Sequence, residues 1–109
     1  MLNQVDLNAD EMRTGRWFKL GKTELKIAHV SNKIFKSAVA KYTADNQISV
    51  KDACKAMAEG LLVDWKELKH IDNSDVPYTA EMATYALLTN IELREFVEST
   101  ASNLENFEG

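Results

Sequence analysis

Few side chains in this sequence could do chemistry, and their spacing decides what they could do. His70, Asp72 and Asp75 fall close together and offer an imidazole and two carboxylates, the donor types of a metal site. A calcium loop also needs a glycine at its sharp turn and a distal bidentate glutamate. The run Asp72-Asn73-Ser74-Asp75-Val76-Pro77 supplies neither, so it reads as a polar turn. Nucleophilic catalysis would need Cys54 or a serine beside a histidine base held by a third group. His29 falls on an expected strand and His70 in an expected loop, and no G-x-S-x-G turn surrounds Ser31, Ser37, Ser49 or Ser74. Cys54, among Ala53, Met57 and Ala58, reads as a small buried side chain. No catalytic, metal or cofactor residues are expected, and the chain is read as a non-enzyme.

A second constellation is basic and aromatic. Arg13, Arg16, Lys19, Lys22, Lys26, Lys33, Lys36 and Lys41 interleave with Trp17, Phe18 and Phe35, a mix that could follow phosphates and stack bases. Three features weigh against a nucleic-acid surface. The chain is acidic overall, with a pI near 5.1 and a net charge of −4. Only two of those eight cations are arginine, and Phe35 falls on an expected core stripe. Trp17 and Phe18 are adjacent and so straddle the two faces of one strand, which leaves one of them available as an interface anchor.

The elements that would position these residues are mostly helical. Residues 1–14 mix polar and acidic side chains without a period and read as a flexible lead-in; residues 15–109 read as one domain. Residues 16–30 form an expected β-hairpin, with Leu25, Ile27 and His29 alternating against charged neighbours around a Gly21-Lys22 type II′ turn. A lone hairpin is marginal in water, so it must pack on other elements. Ser31 or Asn32 opens a helix with the stripe Ile34, Phe35, Ala38, Val39 and Tyr42. Ser49 opens a second, whose apolar positions Val50, Ala53, Cys54, Met57, Ala58, Leu61 and Leu62 follow the helical spacing most cleanly. Gly60 there marks close packing or a weakened last turn. Pro77 holds Val76 extended and Thr79 caps a third helix, with Met82, Tyr85, Ala86 and Leu88 or Thr89 as one face. A break at Asn90 or Ile91 leads to a last stripe of Leu93, Phe96, Val97, Ala101, Leu104 and Phe107. The expected class is α+β, mainly α: an N-terminal β-hairpin packed on about four helices. Trp65, between a helix end and the polar turn, is expected to plug one end of the bundle.

The charge is unevenly placed. Residues 1–60 carry ten Lys/Arg and seven Asp/Glu, whereas residues 61–109 carry three and ten. Such asymmetry favours head-to-tail self-association or a basic partner. A single cysteine suits a reducing compartment, the first residues lack the basic and apolar pattern of a signal peptide, and no apolar run approaches a membrane span. The expectation is a soluble cytoplasmic protein with no membrane or nucleic-acid partner.

Asp64-Trp65-Lys66-Glu67-Leu68, the loop aspartate Asp72, then Val76-Pro77-Tyr78-Thr79-Ala80-Glu81, Ala83, Leu87-Leu88 and Glu92-Leu93 through Phe96-Val97 and Ala101 stand in a particular order. With the tryptophan-bearing hairpin and the Asn32-Lys33-Ile34-Phe35 helix start, this order resembles the tail assembly chaperones of long-tailed bacteriophages. The resemblance spans roughly residues 16–107, although Asn73-Ser74 stands where a glycine commonly follows the aspartate. It implies a non-enzymatic protein of the host cytoplasm, absent from the mature virion, that helps tail tube protein polymerise around the tape measure protein. It supplies no catalytic residues. The residues expected to shape the fold or its contacts are Trp17, Phe18, Asp64, Trp65, Val76, Pro77 and Tyr78. The same patterning would also suit a small helical adaptor or regulatory binding domain.

Overall fold

The computed structural model describes residues 6–109, in the order α1 (Ala9–Thr14), β1 (Arg16–Leu20), β2 (Thr23–Ile27), α2 (Lys33–Tyr42), α3 (Val50–Gly60), β3 (Leu62–Lys66), α4 (Ala80–Thr89) and α5 (Ile91–Ser102). A 3₁₀ turn, Leu104–Phe107, follows. The α+β class stands, with a third strand and a short first helix beyond the elements expected. Residues 1–5 of the expected lead-in lie outside the described residues. Ala9–Thr14 of that same stretch is helical, capped by Asn8, whose side chain accepts from the Glu11 amide.

The helix starts follow from short polar side chains that satisfy otherwise unpaired amides. Asn32 accepts from Phe35 N, Ser49 from Asp52 N, Thr79 from Met82 N and Asn90 from Leu93 N. Asn90 also closes α4, its own amide donating to Ala86 O at 2.9 Å, so a single residue ends one helix and begins the next. The hairpin closes through a two-residue turn between Leu20 and Thr23, with Gly21 at φ +63°. Gly60 allows α2 and α3 to touch, since a Cβ there would lie 2.4 Å from Phe35 Cα. The Asn32 amide locks that contact by donating to Gly60 O at 2.8 Å and His29 O at 2.6 Å.

The third strand corrects the reading of Leu61 to Trp65 as a helix end running into a loop. β3 pairs antiparallel with β2, giving a sheet in the order β1-β2-β3. Its register is Leu25 with Trp65, Lys26 with Asp64 and Ile27 with Leu62, so Val63 is an extra residue in a bulge. Leu62 and Trp65 therefore share the inner face although they are three apart, a spacing that imitates a helix and hides the strand.

One side of the sheet carries the core. Leu25, Ile27, Leu62 and Trp65 pack with Cys54, Met57, Ala83, Leu87, Leu93, Val97 and Ala101, and Phe107 is the largest side chain fully buried. The shortest molecular extent is 19 Å. Three expected stripes shift. On α2, Ile34 is 58% exposed, and on α3, Val50 is 61% exposed at the first helical position. On α4 the buried residues are Ala83 and Leu87, while Tyr85 is 62% exposed. That helix is apolar nearly all round, so period alone does not choose its inner face. Leu104, expected on the last stripe, is also exposed.

Candidate functional site

Strand register sorts the singled-out residues into two groups. Phe18 lies opposite Leu25 on the inner face, edge-on to Phe107 with ring centroids 5.8 Å apart. Trp17 lies opposite Lys26, which in turn lies opposite Asp64, so the three stand in one row across the outer face with Lys26 between the other two. Lys66 Nζ sits 4.2 Å from the centre of the Trp17 ring, a cation–π contact at the surface. Lys19 and Glu24 complete this face, and Trp17 stays half-buried on it.

Trp65, Val76 and Tyr78 form a joint instead of a surface. The buried indole Nε1–H donates to Val76 O at 2.7 Å, and the ring meets Tyr78 edge-on at 4.9 Å. The Tyr78 hydroxyl reaches Ala58 O at 3.0 Å and Leu62 O at 2.7 Å, which ties the segment before α4 to the end of α3 and the start of β3. Burial, with the Asp64 carboxylate second, pushes the Tyr78 phenol up to about 12. Asp64 accepts from the Trp65 amide at 2.8 Å. Pro77, between these anchors, is exposed.

The expected polar turn is a small antiparallel bridge, Lys69 with Asp75, closed by Val76 N donating to Leu68 O at 2.8 Å. Asp72 accepts from the Ser74 amide and hydroxyl, and these bonds hold its carboxyl below the usual range. Among the described residues, no group of three or more His, Cys, Asp and Glu side chains is arranged to hold a metal ion. Cys54 is fully buried, with the Arg94 guanidinium 4.0 Å from its sulfur. His29 is buried against Phe107 at 5.5 Å, and its Nδ1 accepts from the Ser31 amide at 3.1 Å. Burial lowers its pKa, and the Ser31 contact also requires the form with Nδ1 unprotonated.

The surface that the stripes misplaced is an open groove of about 490 Å³ between the end of α2, α3 and α4. Tyr42, Tyr85 and Leu88 give it apolar walls, and Lys51, Lys55, Glu59 and Glu81 line it with both signs of charge. Tyr42 donates its hydroxyl to Glu59, which also pairs with Lys41 at 3.0 Å. Lys41 Nζ stands 4.7 Å from the Tyr42 ring centre and Lys55 Nζ 5.8 Å. The hydrogen bond to Glu59 raises the Tyr42 pKa, and the same bond lowers that of Glu59. The stripe expected through Tyr42 and the helix face expected through Tyr85 and Leu88 both open onto this groove. The signal on α4 is the spacing of Ala83 and Leu87, four residues apart, which turns Tyr85 and Leu88 outward.

The groove, the joint, β2, β3 and α2 to α5 all lie within residues 22–109, the part of the chain that the YdaY prophage protein model matches. The chain belongs to the YdaY prophage protein family. No curated protein and no solved structure matches it. YdaY membership makes the protein phage-derived, in agreement with the phage setting that the resemblance implied. Trp17 and Phe18 precede the matched residues, so the outer sheet face is completed by a strand outside the YdaY match. Among the described residues, no helix is long and apolar enough to cross a membrane.

Proposed function

We propose that this YdaY family protein is a non-enzymatic tail assembly chaperone that binds the tape measure protein and the tail tube protein while the tube polymerises. The observation that supports this reading best is the open groove, in which Tyr85, 62% exposed, and Leu88 stand beside Tyr42 on a chain of phage origin. An amphipathic helix laid in such a groove buries apolar residues at i, i+3, i+4 and i+7, and charges on the rim select the partner. Lys51, Lys55, Glu59 and Glu81 supply those charges. A chaperone must also let go, and a shallow apolar groove with a mixed-charge rim suits reversible contact better than a deep pocket does.

The test is co-expression with the tape measure and tail tube proteins of the same prophage, followed by affinity capture. Co-purification of either one, and more of the tape measure protein in the soluble fraction, is the expected result. Capture of neither would reject the chaperone reading.

A further inference from the structure

Two surfaces of opposite charge lie on opposite sides of this domain. The outer sheet face presents Lys19, Lys26 and Lys66 around half-buried Trp17, against Glu24 and Asp64. Helix α5 turns Leu93, Val97 and Ala101 inward to the core beneath the sheet, so its outward side carries Ile91, Glu92, Glu95 and Glu98. Ile91 is 59% exposed. Among the described residues, none of these lysines and glutamates is in an ion pair within the molecule. Because α5 packs against the inner side of β2, the sheet lies between its own outer face and the outward stripe of the helix.

We propose that the outer sheet face of one copy receives the outward stripe of α5 from a second copy, in a head-to-tail contact. Trp17 is the apolar anchor, and Ile91 at one end of the stripe is its counterpart. Lys19, Lys26 and Lys66 face Glu92, Glu95 and Glu98 of the second copy. Pairing two sheet faces would set lysines against lysines, and pairing two α5 stripes would set glutamates against glutamates. The contact is therefore heterologous. Because its halves lie on opposite sides of each copy, it cannot close as a dimer and propagates as an open chain or a ring. This inference is independent of what the groove binds.

Sedimentation velocity tests it. At about 10 mM salt, where charges act over about 30 Å, the protein should form species larger than a dimer that dissociate to monomer at about 1 M salt. Lys19→Glu with Lys66→Glu makes the sheet face acidic, and Glu95→Lys with Glu98→Lys makes the helix stripe basic. Each double variant alone should be monomeric, with the far-ultraviolet circular dichroism of the wild type, because these side chains are outward-facing. Mixed together, the two should assemble again, since every junction then sets lysines against glutamates. Monomeric wild type at low salt would overturn the proposal, as would a discrete dimer, assembly insensitive to either reversal, or a mixture that stays monomeric. The salt series on the wild type needs no variant to fold.

Discussion

At the scale of single residues, Trp65 and Tyr78 are the clearest case of order without chemistry. Trp65 is buried, donates to Val76 O and stacks edge-on with Tyr78, whose hydroxyl reaches two main-chain carbonyls. Trp65→Ala should cost about 3–5 kcal/mol, a large part of the 5–15 kcal/mol that holds an ordinary domain folded. Urea denaturation will show this as a much lower midpoint; an unchanged midpoint with lost partner binding would make Trp65 a contact residue instead of a joint. Tyr78→Phe should cost about 1 kcal/mol, the usual net worth of a hydrogen bond. The Tyr78 phenol titrates near 12 in the folded protein, above its ordinary value of 10.0. Its stabilisation is therefore complete below the ordinary value and is lost as pH rises through the folded one. Tyr78→Phe should flatten the fall in melting temperature over that alkaline range. The sequence made these residues legible as structural, because a proline-bound extended segment before a cap and a tryptophan beside a polar turn are local signals. It did not show which of Trp17 and Phe18 faces the core, because adjacent strand residues point to opposite sides and only pairing with Leu25 decides between them.

At the scale of elements, the four long helices begin at polar caps, of which Ser49 and Thr79 read as caps from the chain alone, Asn32 only beside the alternative Ser31, and Asn90 only as a break shared with Ile91. Local hydrogen bonding sets those positions, so they need no tertiary information. β3 was illegible for the opposite reason. The Val63 bulge places Leu62 and Trp65 on one face at a helical spacing, and only pairing with β2 reveals the strand. The groove was hidden on α4, where apolar residues surround the helix and the inner side is chosen by what α3 offers. Gly60 marks a close element contact, where α3 meets α2 at Phe35. Gly60→Ala would gain helix propensity, yet its Cβ would meet the backbone of Phe35 at 2.4 Å, which cannot yield as a side-chain tip would. Destabilisation by about 1–3 kcal/mol is expected despite the better propensity. Thermal melts will decide, and a stabilised variant would mean that α2 is free to shift.

At the scale of the whole molecule, the phage origin is shown by the family and the α+β fold by the structure, while function rests on surfaces. Acid stability carries one global signature. Burial depresses the His29 pKa below 6.5, so the neutral form contributes stability that is complete above that value and is lost as pH falls through the lower folded value. Chemical denaturation across mildly acidic pH should show that loss, and His29→Gln should remove its slope while lowering stability at neutral pH. Of the ten acidic residues after residue 60, three lie on α5 and one on α4, and the rest are spread over β3, the turn after it and the C-terminal stretch, which is why charge asymmetry was legible in the sequence while the surfaces bearing it were not. On the proposed function, this protein binds tail proteins through the groove of α2, α3 and α4. The most direct measurement is side-by-side capture of the tape measure protein by the wild type and by a Tyr85→Ser, Leu88→Ser variant. Both replaced side chains are outward-facing, so the variant should fold. Retention by the wild type, with at least a tenfold loss in the variant, is the predicted result; equal retention by both, or none by the wild type, would contradict it.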